Sequence, residues 1–194
     1  MTTDAGARIT RESFERICAE VDLARFGPGA RRVAARIVHA TADPSLVDDL
    51  VLDEAVVTEA VRLLRTGAPI LVDARMVAAG APRLPTIVTL DAVEQGDAVE
   101  TRSARAMRAS LSALANPAVV AIGNAPTALS ALLEHPVNVG VVLGFCVGYV
   151  GAAEAKERLL ASGLACLTLR GRRGGSPVAA AALNALAELA TEET

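Results

Sequence analysis

Ala118-Val-Val-Ala-Ile-Gly-Asn-Ala-Pro-Thr-Ala-Leu-Ser-Ala-Leu-Leu133 carries the pattern from which the fold can be read. It opens with a wholly apolar run, residues 118–122, in which apolar and polar side chains do not alternate. Such a strand is buried on both faces, as strands of parallel sheets are. Gly123 and Asn124 then turn the chain, and Pro126 brings the fixed φ that suits the first position of a helix. From there apolar residues recur at three- and four-residue spacing as far as Leu133.

The same grammar repeats outward. Short apolar runs at residues 68–73, 86–90, 137–143 and 165–169 read as strands, and helical patterns follow most strands, at 74–79, 103–114, 151–160 and 177–190. Strands alternating with helices predict an α/β domain with a parallel sheet flanked by helices. Ahead of them, residues 13–21, 29–42, 44–51 and 54–65 predict an N-terminal helical segment, with Asp43 capping Pro44 and Gly67 ending the last helix. The 194 residues then form a single domain, residues 1–66 mainly helical and packed on an α/β core over 67–190.

Composition narrows the function. A net charge of −3 and a pI near 5.5 argue against nucleic acid as a partner. Phe14, Phe26, Phe145 and Tyr149 are the only aromatic rings apart from two histidines, so stacking platforms are scarce as well. Lys156 is the only lysine, so an anionic ligand would be met by guanidinium forks. Cys18, Cys146 and Cys166 have no metal-ligand spacing, so no metal is expected, and their odd number fits a reducing cytoplasmic setting. Residues 1–10 contain no apolar leader core, and the longest apolar run, 137–150, is too short to span a bilayer, so no membrane association is expected.

Three strand ends are rich in glycine: residues 122–127, 143–152 and 169–176. Each leads into a helix, where free N–H groups favour anions. Any one of them is most simply a tight turn; three on one sheet edge predict a broad cleft, because such sheets bind ligands beyond the carboxyl ends of their strands. Gly144, Gly148 and Gly151 do not have the dinucleotide spacing, and no loop ends as a phosphate-binding P-loop does. His39 follows Arg36 by three residues on one helix face, and Ser13 lies on the preceding helix. His135 reads as surface. Asp73 and Glu154 read either as paired carboxylates or as a cap and a surface charge.

Taken together these residues resemble the precorrin-8X methylmutase family. The likeness runs from about Ser13 to about Leu186. It rests on Ser13-Phe-Glu-Arg-Ile17, Arg36-Ile-Val-His-Ala40, Gly67-Ala-Pro-Ile-Leu71, Thr101-Arg-Ser103, Ile122-Gly-Asn-Ala-Pro-Thr-Ala-Leu129, Val147-Gly-Tyr-Val-Gly-Ala-Ala-Glu154 and Arg170-Gly-Arg-Arg-Gly-Gly-Ser176. The resemblance implies a flavodoxin-like sheet and an isomerase of cobalamin biosynthesis. Its reaction would move a methyl group from C-11 to C-12 of precorrin-8X to give hydrogenobyrinic acid, or act on the cobalt-bearing equivalent. It implies His39 as catalytic acid/base, Ser13 and Arg36 at the substrate, and no cofactor. It also implies a homodimer or higher homo-oligomer whose subunits complete each other's clefts.

A flat tetrapyrrole fringed with carboxylates needs several cationic forks, for which Arg36, Arg102, Arg170, Arg172 and Arg173 are the candidates. Gly123, Asn124 and Gly144 are the expected backbone contacts, and the whole set should line one cleft, within a chain or across a subunit boundary. The chain departs from the family where Cys146 replaces the usual proline, where Ala155 replaces a common serine, and where residues 80–89 are shortened. Two other readings stand beside the enzyme: a non-catalytic corrinoid-binding module, and an unrelated phosphate-binding protein of similar fold.

Overall fold

A computed structural model describes residues 4–94 and 99–192; residues 1–3, within the polar N-terminal stretch, and 193–194 lie outside the described residues, as do 95–98. The helices are α1 (Asp4–Glu20), α2 (Pro28–Thr41), α3 (Glu54–Arg65), α4 (Arg75–Gly80), α5 (Arg102–Ser112), α6 (Pro126–Glu134), α7 (Ala152–Ala161) and α8 (Ser176–Thr191). The strands are β1 (Leu50–Val51), β2 (Ile70–Val72), β3 (Thr86–Val88), β4 (Ala118–Ile122), β5 (Val139–Gly144) and β6 (Cys166–Leu169). They form one sheet in the order β1-β6-β5-β4-β2-β3. All pairings are parallel except that of β1 with β6. The parallel strands therefore run β3-β2-β4-β5-β6, which is the flavodoxin-like order, and the order reverses between β2 and β4.

Burial follows the sequence pattern. Strand β4 is buried along its whole length, because one core lies on each side of the sheet. On one side, α2 packs against α8 and buries Ala30, Val33, Ala34, Ile37 and Val38, an i, i+3, i+4 stripe. Alanine on both helices lets their backbones come close, and α8 buries Ala179, Ala182 and Ala185 there. Helix α3 joins this layer, held at its N-terminus by Asp53, which accepts the Ala55 N–H at 2.8 Å. On the other side α5, α6 and α7 cover the sheet around Met107, Leu129, Leu132 and Leu159.

Three local expectations need correction. Residues 44–51 do not form one helix. Asp43 does cap Pro44, but the turn that follows is a 3-10 helix, Pro44–Asp49, and Leu50 and Val51 then pair antiparallel with Leu169 and Thr168. The predicted strand at 86–90 stops at Val88 and tightens into a 3-10 helix, Thr89–Ala92. Helix α1 begins at Asp4, well before Ser13.

Gly144, expected at the ligand, ends β5 inside the core, and a methyl group there would overlap Leu159 Cδ2. Leu159 is fully buried, so it could give way only by repacking its neighbours. Gly144→Ala is therefore expected to destabilise the chain by about 1–3 kcal/mol through overpacking. Urea unfolding would show this as a lower midpoint at unchanged slope.

Candidate active site

Helices α1 and α2 bring Ser13 and His39 together although 26 residues separate them: Ser13 Oγ lies 2.8 Å from His39 Nδ1. Phe14, the next residue on α1, stacks on the imidazole with ring centroids 5.0 Å apart and planes 20° from parallel. Nδ1 is thus engaged and the ring plane fixed, while Nε2 has no protein partner among the described residues. When the serine hydroxyl donates to Nδ1, the neutral ring carries its proton on Nε2 and can donate it outward. The pair opens on a trough of about 550 Å³ lined by Ile9, Glu12, Arg16, Val38 and Pro44 as well. That volume lies within the range of ordinary ligand pockets. His39 itself is exposed in the single chain.

Arg36 leaves this trough. It pairs with Glu188 of α8 at 2.8 Å and approaches the Phe14 ring at 5.9 Å, so it lines two smaller neighbouring cavities of about 350 and 300 Å³. The other expected forks are mostly engaged inside the protein. Arg102 donates to the Leu90 and Val93 carbonyls at 2.9 and 3.2 Å. Arg170 grips Glu157 with contacts of 2.7 and 2.8 Å. Arg173 bridges Asp43 at 3.1 Å and Asp49 at 2.7 Å, and so ties the β6–α8 loop to the segment that follows His39. Arg172 alone of the five has neither a carboxylate nor a carbonyl partner among the described residues; its guanidinium lies 5.4 Å from the centroid of the Tyr149 ring.

The crevice at the point of strand-order reversal is filled by the chain itself. Asp73, just past β2, accepts the N–H groups of Gly123, Asn124 and Ala125 at 2.9, 2.9 and 2.7 Å. Those donors, which the sequence reading offered to a ligand anion, already have an anion. Burial pushes the Asp73 carboxyl above the usual carboxylate range, while the three N–H groups pull it the other way. Asp73 is therefore the cap of the β4–α6 turn. Glu154 is exposed on α7, and the described contacts do not pair the two. Cys146 is fully buried, and burial pushes its thiol up to about 11, which disfavours the thiolate at neutral pH.

Within one chain, then, Ser13 and His39 share a cavity, and the Asn124 and Gly144 loops do not line it. Phe14 and Glu188 were not anticipated. Glu188 gives no sequence signal, being 152 positions from Arg36. Phe14 offered one: it is among the few aromatic rings of the chain and stands directly beside Ser13.

The comparisons with known proteins agree in direction. The family model for precorrin-8X methylmutase (CbiC) matches residues 8–189. The precorrin-8X methylmutase of Pseudomonas aeruginosa is 44% identical, over 94% of this chain and 95% of that protein. The cobalt-precorrin-8 methylmutase of Methanothermobacter thermautotrophicus is 37% identical, over 96% and 93%. A crystal structure of the precorrin-8X methyl mutase of Thermus thermophilus superposes with a TM-score of 0.84 at 33% identity, covering 94% of this chain and 96% of that one.

Proposed function

The chain belongs to the precorrin-8X methylmutase family, isomerases of cobalamin biosynthesis, and from that premise we propose that it moves the C-11 methyl group of precorrin-8X, or of its cobalt-bearing counterpart, to C-12, with His39 as general acid/base. One observation carries the residue assignment: the Ser13–His39 hydrogen bond, braced by the Phe14 stack, at the head of an open trough.

The chemistry asks little of the protein. The bond from C-11 to the methyl breaks as the bond to C-12 forms, the macrocycle's double bonds rearrange, and the composition does not change. Sharing a proton with a ring nitrogen biases the electron distribution toward the rearranged isomer, and that proton is returned once the methyl has moved. Imidazole gives and recovers a proton near neutrality. A substrate labelled with ¹³C at the C-11 methyl should yield product with the label on C-12. Label that stays on C-11 while the macrocycle is bound would instead indicate a corrinoid-binding module.

Ser13 acts here as the group that fixes the Nδ1 side of the ring. Ser13→Ala should lower kcat by about tenfold, the worth of one ordinary hydrogen bond, at nearly constant KM. Ser13→Thr keeps the hydroxyl and should restore most of the rate.

The exposure of His39 in one chain leaves the trough without a second wall, so the reading includes a homo-oligomer in which a neighbouring copy closes it, most simply a dimer working in the cytoplasm. Sedimentation at micromolar concentration should show the dimer; a monomer alone would count against that part. No helix among the described residues is long and apolar enough to cross a membrane.

A further inference from the structure

The β5–α7 and β6–α8 loops build a surface that the Ser13–His39 trough does not use. Tyr149 is 86% exposed and Val150 88% exposed, with Val147 beside them in the same loop. Large apolar side chains left open together mark a binding surface more often than chance exposure does. Arg172 lies over the Tyr149 ring and has no carboxylate partner among the described residues, so a cation and an exposed aromatic ring stand together, ready for a ligand.

The surface is pre-formed. The Gly148 N–H donates to the Arg172 carbonyl at 3.2 Å, and the Gly175 N–H donates to the Phe145 carbonyl at 2.7 Å. Gly174, at φ +146°, comes so close to the Phe145 carbonyl oxygen that a methyl group would overlap it. From below, the only lysine, Lys156, is fully buried and donates to the Arg173 carbonyl at 2.5 Å. Arg173 in turn holds Asp43 and Asp49, so the loops are anchored to the segment that follows His39. A preorganised platform loses little entropy on binding.

We infer that Tyr149, Val150 and Arg172 form a second part of the substrate-binding surface, which takes the flat conjugated face of the carboxylated macrocycle on Tyr149 and Val150 and one peripheral carboxylate on Arg172. This rests on the functional reading above. A flat, anionic, conjugated ligand matches an exposed ring that carries, on one side, a guanidinium with no carboxylate partner among the described residues. A second copy matches it less well, because a two-fold contact centred on this patch would bring one Arg172 against the other.

The test is a visible-absorbance titration with hydrogenobyrinic acid and, separately, with its fully methyl-esterified form. Tyr149→Ala should weaken binding of both by about tenfold. Arg172→Ala should weaken the acid by a similar factor and leave the ester almost unchanged, since the ester carries no charge for the guanidinium to meet. Sedimentation of both variants should match the wild type. Wild-type affinity in both variants would overturn the platform while leaving His39 untouched. So would a shift to smaller species in proportion to lost affinity, which would make the patch a contact between copies. A wild-type chain that binds neither ligand would overturn the functional reading, and the platform's ligand with it.

Discussion

His39→Ala is expected to lower the isomerisation rate by about 10²- to 10⁴-fold, the usual contribution of a general acid/base group, while leaving affinity for the macrocycle within a few-fold of wild type. The separation follows from the geometry. Among the described residues the imidazole has one hydrogen bond, to Ser13, and it lies on the surface of α2, so its removal leaves the core of that helix intact. Binding would draw on apolar contact and on guanidinium groups, none of which the substitution removes. Paired measurements decide the matter: turnover by visible spectroscopy and affinity by titration with hydrogenobyrinic acid. Full activity would sink the acid/base assignment. Equal loss of turnover and affinity would make His39 a binding residue.

Asp73→Ala is expected to have the largest effect on stability. The carboxylate is 1% exposed and satisfies three N–H groups of the β4–α6 turn at once. Truncation leaves those donors without an acceptor, at an expected cost of about 3–5 kcal/mol. For a domain of this size that lowers the thermal midpoint by roughly 6–20 °C. Asp73→Asn keeps one acceptor oxygen but presents an amide donor to the remaining N–H groups, so it should fall between wild type and alanine. Thermal unfolding followed by circular dichroism checks the order. A midpoint for Asp73→Ala within 2 °C of wild type would mean that water replaces the carboxylate without loss.

The parallel core was legible because β4 and its neighbours are continuous apolar runs closed by turns, and local sequence suffices to mark such units. Strand β1 was not, since Leu50 and Val51 sit inside a pattern that also fits a helix, and only the distant β6 edge makes them a strand. In the site, Ser13 and His39 could be named because both stand in stretches that resemble the methylmutase family. The fate of the glycine-loop N–H groups could not, because their acceptor lies some 50 residues earlier in the chain. The internal partners of the arginines were hidden for the same reason. A guanidinium looks free in sequence until its carboxylate is found, and Glu157 and Glu188 lie on other elements, 13 and 152 positions away. Long-range pairing is a property of the fold and leaves no local trace.

On the function proposed above, this chain isomerises a corrin-type macrocycle with its own side chains. Mixing the wild-type protein with a stoichiometric amount of precorrin-8X, and recording the visible spectrum and the mass of the pigment together, tests that most directly. The expected result is conversion to the spectrum of hydrogenobyrinic acid through fixed isosbestic points, at unchanged mass. A spectrum that stays that of precorrin-8X with the pigment bound to the protein would contradict it.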